Sequence, residues 1–371
     1  MKINIKGEFG MKRFTIAAIS ILLLSWQFIL SAEEKKEPLR LGYFPNLTHA
    51  PALVGTSEGF FQKALGDNVK IDLKTFNAGP SLIEALFAGE IDIGYIGPNP
   101  AINGYVKSGG KALRIIAGSS SGGALFIVRN DAGINDSKDL QGKKLAAPLN
   151  DDAMDEAKDL QGKRFASPQM GNTQDVALRA YIEKAGFNTV EKGGKVQVLP
   201  TQNPNILTLF LQKRVDGAWV PEPWGTRLVQ EANGKIFLDE RSLWPDGKFV
   251  TAHVIASTEF LAKRPDLVKK FLAGHLAAID FIAKDPGKAR VIINNEIKRI
   301  TTKPIPEDIL EKSMKNIDIT YDPICKSLVK SADDAFKLGY LGKTKPDLSG
   351  IYDLTILNAL LKEKGLPEIV K

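Results

Sequence analysis

Residues 171–181 read Gly-Asn-Thr-Gln-Asp-Val-Ala-Leu-Arg-Ala-Tyr, and the chemistry this stretch offers is the holding of an anion. Thr173 is a capping residue type, able to accept a bond from a backbone N–H two or three residues on. Val176, Leu178, Ala180 and Tyr181 then give an apolar side, and Gly186 is a stop signal. The first turn of such a helix carries N–H groups with no backbone partner and a partial positive charge. Gly171 and Asn172 leave the approach open, so the mouth suits a small anion. Every helix has such an end, so the reading needs companions elsewhere in the chain.

Companions are present. Gly97-Pro98-Asn99-Pro100 opens a second helix, and Pro221-Glu222-Pro223-Trp224 leads into a third. Trp224 at such a place is a core plug or an apolar wall for a ligand. Glu222 is at odds with anion binding and suits a lobe contact or a cationic part of a solute. Gly118 to Gly122 matches G-x-S-x-G, which in a hydrolase sits between a strand and a helix. Here an apolar stretch of strand character follows, so the residues read as a polar loop whose amides could hold an anion. The acidic spacer at 150–156 lacks the alternation and central glycine of a calcium loop and reads as a solvated linker.

The elements that would position these groups alternate. Residues 39–43, 69–76, 91–96 and 113–117 read as strands, and helical patterns at 50–64, 79–87 and 98–105 separate them. That order implies an α/β fold with a mostly parallel sheet covered on both faces, with ligands beyond the carboxyl ends of the strands. The loops at Asn46, Gly97 and Ser119 fall there. Residues 124–129, 196–199, 215–220 and 249–256 read as further strands. From 258 on the chain is expected to be mostly helical, at 267–283, 289–300, 306–314 and 351–364.

Composition narrows the classes. The 371 residues are 43% hydrophobic and 25% charged, enough for two globular domains. The net charge of +7 is spread thinly, with no run of basic residues, so nucleic acid is not an expected partner. Cys325 is the single cysteine, so no intramolecular disulfide can form. Three histidines, His49, His253 and His275, carry no metal-ligand spacing, and neither a metal nor a cofactor is expected.

Two segments stand apart. Lys12 and Arg13 precede an apolar run to Ala32, the pattern of a secretory signal, so 1–32 is read as a signal peptide cleaved after Ala32. No cysteine lies near that point, so a lipoprotein is not expected. Residues 138–148 recur at 158–168, a tandem duplication with an offset of 20 residues. One copy is expected to supply a strand, and the other to sit out as a surface loop.

Four separated stretches carry a resemblance: 43–51, 88–97, 171–175 and 216–224. Together, and in this order, they resemble the substrate-binding proteins of ABC importers, in the aliphatic sulfonate, taurine and nitrate branch. The resemblance implies a two-lobed periplasmic binding protein fold, type II-like, with two crossover strands. Lobe one would comprise 39–128 plus 249–371, and lobe two 129–248 with the duplication at 138–168. The implied cleft gathers Asn46, Thr48, His49, Gly97, Pro98, Asn99, Ser120, Ser121 and Gly122 on one side. Gly171, Asn172, Thr173, Glu222 and Trp224 lie on the other. The implied partners are a small anionic solute and an ABC permease with its ATPase subunits, and the protein is expected in the periplasm as a monomer. An aliphatic sulfonate is the leading solute, with nitrate, taurine and a thiamine pyrimidine precursor as alternatives. Some relatives of the fold make that precursor enzymatically, but with a Cys-rich motif that one cysteine cannot supply. A sensory ectodomain would need a signalling module that the sequence lacks.

Overall fold

The computed structural model describes residue 1, residues 37–134 and residues 160–370. The expected signal segment, the first copy of the duplication and the acidic spacer lie outside the described residues.

Three strands of the first sheet run parallel: β1 (Glu37–Tyr43) between β2 (Val69–Thr75) and β3 (Ile93–Ile96). Two longer strands, β4 (Leu113–Gly122) and β10 (Val250–Ser257), pair antiparallel to each other, and β10 also pairs antiparallel to β3. A short strand, β11 (Ile317–Ile319), closes the edge, giving the order β11-β4-β10-β3-β1-β2. The inner strands are buried along their length because helices cover both faces. On one face lie α1 (Ala50–Ser57), α2 (Phe60–Leu65) and the long α9 (Pro265–Lys284), where Phe61 stacks on Phe271 at 4.7 Å. The helix expected over 50–64 is two helices, because Gly59 takes a left-handed φ of 68° between them. Further helices are α3 (Gly79–Phe87) and α4 (Pro98–Lys107).

The second sheet has the order β7-β6-β8-β5-β9, built from β5 (Ala124–Arg129), β6 (Arg164–Ser167), β7 (Gln197–Pro200), β8 (Gly217–Pro221) and β9 (Gly234–Asp239). The second copy of the duplication therefore supplies a strand, β6. The covering helices are α5 (Thr173–Lys184), α6 (Asn203–Leu211) and α7 (Trp224–Glu231). An aromatic core holds this lobe: Phe126 stacks on Trp219 at 5.2 Å and meets Phe165 and Phe237 edge-on.

The chain changes sheets at Gly122 and Gly123, with φ of 73° and 69°. A Cβ on Gly122 would lie 2.7 Å from the Asn316 carbonyl, and one on Gly123 would lie 2.5 Å from Ile317. Only glycine tolerates both the handedness and the closeness. Two expectations are corrected here. Residues 119–122 form the end of β4 and not a loop, and the whole of 124–128 belongs to the second sheet. The sheet boundary thus precedes β5 instead of following Val128, because β5 pairs with β8 and β9.

After β10, α8 (Thr258–Lys263), α9, α10 (Pro286–Thr301) and α11 (Glu307–Met314) return to the first lobe. The sequence reading omitted β9, β11 and α12 (Cys325–Lys337), and placed the last helix four residues early; it is α13 (Thr355–Glu363). Helix α12 lies between α4 of its own lobe and α5 of the other, and α11 reaches α7.

Candidate functional site

The loops at the strand ends of both lobes meet, and the lobes are bonded to each other. At one end of the crevice Trp224 Nε1 donates to Asn46 Oδ1 at 3.3 Å, and the Leu47 N–H donates to the Glu222 carbonyl at 3.3 Å. In the middle, Gly97 faces Thr173 so closely that a Cβ on Gly97 would stand 2.3 Å from Thr173 Oγ1. Nearby, the Gly79 N–H donates to Asn172 Oδ1 at 3.4 Å, and Ser81 Oγ donates to Gln169 Oε1 at 3.1 Å. At the other end the Tyr340 hydroxyl donates to Asp175 Oδ2 at 3.0 Å, and Lys184 stands 3.6 Å from Asp334.

Two cavities open along this seam. One of about 310 Å³ is walled by Asn99, Lys330, Ser331 and Asp334 from the first lobe, and by Thr173, Val176, Tyr181, Lys184, Glu240 and Trp244 from the second. The other, about 610 Å³, includes Asn46, Asn203, Trp224 and Arg227. The Arg227 guanidinium covers the Trp224 ring at 4.8 Å, and the half-buried indole both packs against the core of the second lobe and lines this cavity.

The helix mouths are arranged differently from the expected pattern. Thr173 is the first residue of α5, and Asn172 precedes it as N-cap without a side-chain capping bond. Gly171 does not offer a free amide, because its N–H donates to Asp175 Oδ2 at 2.9 Å. Asp175 also accepts from Ser167 Oγ at 2.7 Å and Arg179 Nε at 3.1 Å. A carboxylate in the first turn thus takes up part of the positive end of the helix from within. Glu222 does the same for α7: its fully buried carboxylate accepts from the Thr226 N–H at 3.0 Å and the Thr226 hydroxyl at 2.7 Å. Asn316 Nδ2 adds a third bond at 2.7 Å across the seam, and burial pushes the Glu222 carboxyl above its ordinary range. Glu222 is therefore a lobe contact, one of the two roles expected of it.

The other expected residues divide. Asn99 donates from Nδ2 to the Ser331 carbonyl at 3.2 Å and lines the smaller cavity beside Thr173, while Pro98 is buried at the start of α4. The Thr48 carbonyl accepts from Ser119 Oγ at 3.3 Å. Ser121 Oγ accepts from the Phe249 N–H at 3.3 Å, and the Gly122 carbonyl accepts from Thr251 Oγ1, so both serve the crossing between sheets. His49 is turned inward: Nδ1 accepts from the Phe44 N–H at 3.3 Å, the ring stacks on Phe44 at 4.4 Å, and burial lowers its pKa to about 3. It is a neutral structural ring. Two buried hydroxyls, Thr173 Oγ1 and Ser120 Oγ, have no protein partner. Such groups call for one, because an unmade bond costs about 1–3 kcal/mol.

Sequence reasoning missed Lys184, Glu240, Trp244, Lys330, Asp334 and Tyr340. A signal existed for two of them. Leu328, Ser331, Ala332 and Ala335 are spaced as one face of a helix, and Lys330 and Asp334 stand four apart on it, with Nζ donating to Oδ2 at 3.0 Å. Among the described residues, no group of three or more His, Cys, Asp or Glu could hold a metal.

The comparisons with known proteins place this two-lobed α/β molecule in a family and a fold. The model of the NMT1-like family matches residues 32–295. The chain belongs to the NMT1-like family. A Brucella abortus (strain 2308) protein, provisionally named a binding protein, is 27% identical over 354 residues, 95% of each chain. The taurine-binding periplasmic protein of Escherichia coli K12 is 27% identical over 221 residues, 60% of this chain and 59% of that one. Among solved structures, the nitrate-binding protein NrtA from Synechocystis PCC 6803 aligns with a TM-score of 0.69 at 15% identity, over 89% of each chain. The aliphatic sulphonate binding protein SsuA from Escherichia coli aligns at 0.64 and 18% identity, over 84% of this chain and 96% of that one. These structures share the periplasmic binding protein fold with this NMT1-like chain.

Proposed function

We propose that the chain is the exported, periplasmic solute-binding component of an ABC importer, that it captures an aliphatic sulfonate without chemistry, and that it delivers the sulfonate to the membrane permease as a monomer. The observation that carries this reading is the pairing of Gly97 and Asn99 with Thr173 across the seam, next to a cavity and with the Thr173 hydroxyl unpartnered. A hydroxyl so placed can donate to a sulfonate oxygen. The names of the taurine- and sulfonate-binding relatives support the same solute class. Glu222 does not argue for a cationic solute, because its carboxylate already accepts three bonds from the protein. Closure would follow from differential affinity: a solute touching both lobes stabilises only the state in which they meet.

Calorimetry with alkanesulfonates on the protein and on Thr173→Ala tests the site. The variant is expected to lose about 1.5–3 kcal/mol of binding free energy, the worth of one hydrogen bond to a charged group. Unchanged affinity removes Thr173 from the site. Recovery of the solute chemically altered after incubation would replace capture with catalysis.

A further inference from the structure

One bond between the lobes stands apart from both cavities of the seam. Helix α12 ends ahead of Gly339, whose left-handed φ of 87° turns the chain. The Gly339 N–H donates to the Phe336 carbonyl at 2.9 Å, and the Tyr340 N–H donates to the Ala335 carbonyl at 3.0 Å. This glycine-capped ending fixes the direction of the residue that follows it. Tyr340 is thereby carried to the second lobe, where its hydroxyl donates to Asp175 Oδ2 at 3.0 Å. Asp175 is fully buried, and its other three donors, Ser167 Oγ, the Gly171 N–H and Arg179 Nε, all belong to its own lobe. The carboxylate therefore anchors the turn 171–173, and that turn carries Asn172 and Thr173, which meet Gly79 and Gly97 of the first lobe. Neither Tyr340 nor Asp175 lines either cavity.

The other bonds across the seam are weaker or sit where opening strains them least. Those from Trp224 to Asn46, from Leu47 to Glu222 and from Gly79 to Asn172 are long, at 3.3, 3.3 and 3.4 Å. Ser81 and Gln169 are neutral and half-buried. Lys184 and Asp334 stand 3.6 Å apart, with the lysine half exposed, so water screens the pair. The short bond from Asn316 to Glu222 lies beside the crossing at Gly122, where a rotation of the lobes moves groups least. Tyr340 is different, because it brings a donor to a buried charge. When the lobes part, water can replace the hydroxyl on Asp175. When they meet, a missing hydroxyl would leave a buried carboxylate one donor short. Loss of this hydroxyl thus acts on the closed state alone.

Resting on the solute-binding reading above, we propose that Tyr340 and Asp175 form a closure latch, a pair of positioning residues that stabilises the meeting of the lobes and holds the 171–173 turn in place without touching the solute. The latch keeps closed and open states near balance before solute arrives, and removal of its hydroxyl shifts that balance roughly tenfold towards open. The closed share then falls from about a half to about a tenth, and the affinity for any solute that binds the closed state falls with it, about fivefold.

The test is Tyr340→Phe in the full protein, which removes one hydroxyl and no packing. Parent and variant are titrated calorimetrically with ethanesulfonate and hexanesulfonate, dissociation rates are read by stopped flow, and small-angle X-ray scattering is recorded without solute. Both affinities are expected to weaken by the same factor, about fivefold, with both sulfonates leaving faster. The radius of gyration without solute is expected to be larger in the variant than in the parent. Affinities and dissociation rates equal to those of the parent overturn the latch and leave the solute-binding reading standing. A loss confined to one sulfonate also overturns it, because Tyr340 would then touch the solute. If neither sulfonate binds the folded parent, the sulfonate reading falls and scattering alone decides the latch: equal radii for parent and variant overturn it.

Discussion

Lowering the pH from 7.5 to 4.5 is expected to remove much of the stability of this protein, and three buried histidines are the cause. His253 Nε2 lies 3.1 Å from the Pro323 carbonyl, and His275 lies between the Tyr95 hydroxyl at 2.8 Å and the Gly118 carbonyl at 2.9 Å. His49 is stacked on Phe44. Burial lowers His49 to about 3, and His253 and His275 to about 4, from 6.5. The folded values lie below the unfolded one, so the unfolded chain binds more protons in this range. The contribution is complete above pH 6.5 and is lost as pH falls through the folded values. Over the stated range the three rings together forfeit roughly 8 kcal/mol, at about 1.4 kcal/mol per proton and pH unit. Glu240 opposes them. Its folded value of about 7 lies above the usual 4.5, so the folded state takes up its proton first and regains roughly 3 kcal/mol on the way down. Glu222, also raised by burial, acts in the same direction. The histidines win by number, and the net loss of roughly 5 kcal/mol matches the lower end of the roughly 5–15 kcal/mol that holds a domain folded. Guanidinium unfolding followed by circular dichroism at pH 7.5, 6.5, 5.5 and 4.5 checks this. The midpoint should fall most steeply below pH 6.5, and His275→Gln should flatten the slope by about one proton. A midpoint independent of pH over this range would refute the reasoning.

Three further outcomes follow from the same geometry. Glu240→Gln should gain stability relative to the parent as pH rises from 5 to 8, by roughly 2–3 kcal/mol, because the parent alone must ionise a buried carboxyl; equal pH slopes in the two proteins count against it. Gly122→Ala combines a left-handed φ with a Cβ 2.7 Å from the Asn316 carbonyl, so thermal unfolding should show a loss of at least about 1–3 kcal/mol; an unshifted melting temperature would mean that the crossing is not so constrained. Deletion of residues 138–157 should leave a folded protein that still binds its solute, since β6 comes from the second copy; an insoluble product would show that the first copy is needed.

Much of the architecture was legible in the residues. Period-two and near-continuous apolar stretches marked β1, β2, β3, β5, β8 and β10, because a strand covered on both faces has no polar side to interrupt it. Proline and glycine at 79–80 and 97–98 marked the openings of α3 and α4, since these residue types restrict or free the backbone locally. The four resembling stretches identified the kind of fold. The fold they imply also set Gly97 and Thr173 on facing sides of a cleft, and the two do lie against each other although 76 residues separate them along the chain.

What the sequence could not supply depended on distant partners. The end of β4 looked like a loop because its serines and glycines are polar and small, yet pairing with β10 and β11 makes it a strand. The start of α5 looked like an open anion cradle, but Asp175 closes part of it, and Tyr340 reaches that carboxylate from the other lobe. The chamber beside Thr173 is assembled from α12, α5 and Trp244, which no local pattern connects. Propensity and periodicity act over a few residues, so the chain alone determined most of the strands and helices and the kind of fold they build. Only folding brought charges from the two lobes together, and therefore only the tertiary structure decided which side chains face the crevice and which are occupied within the protein.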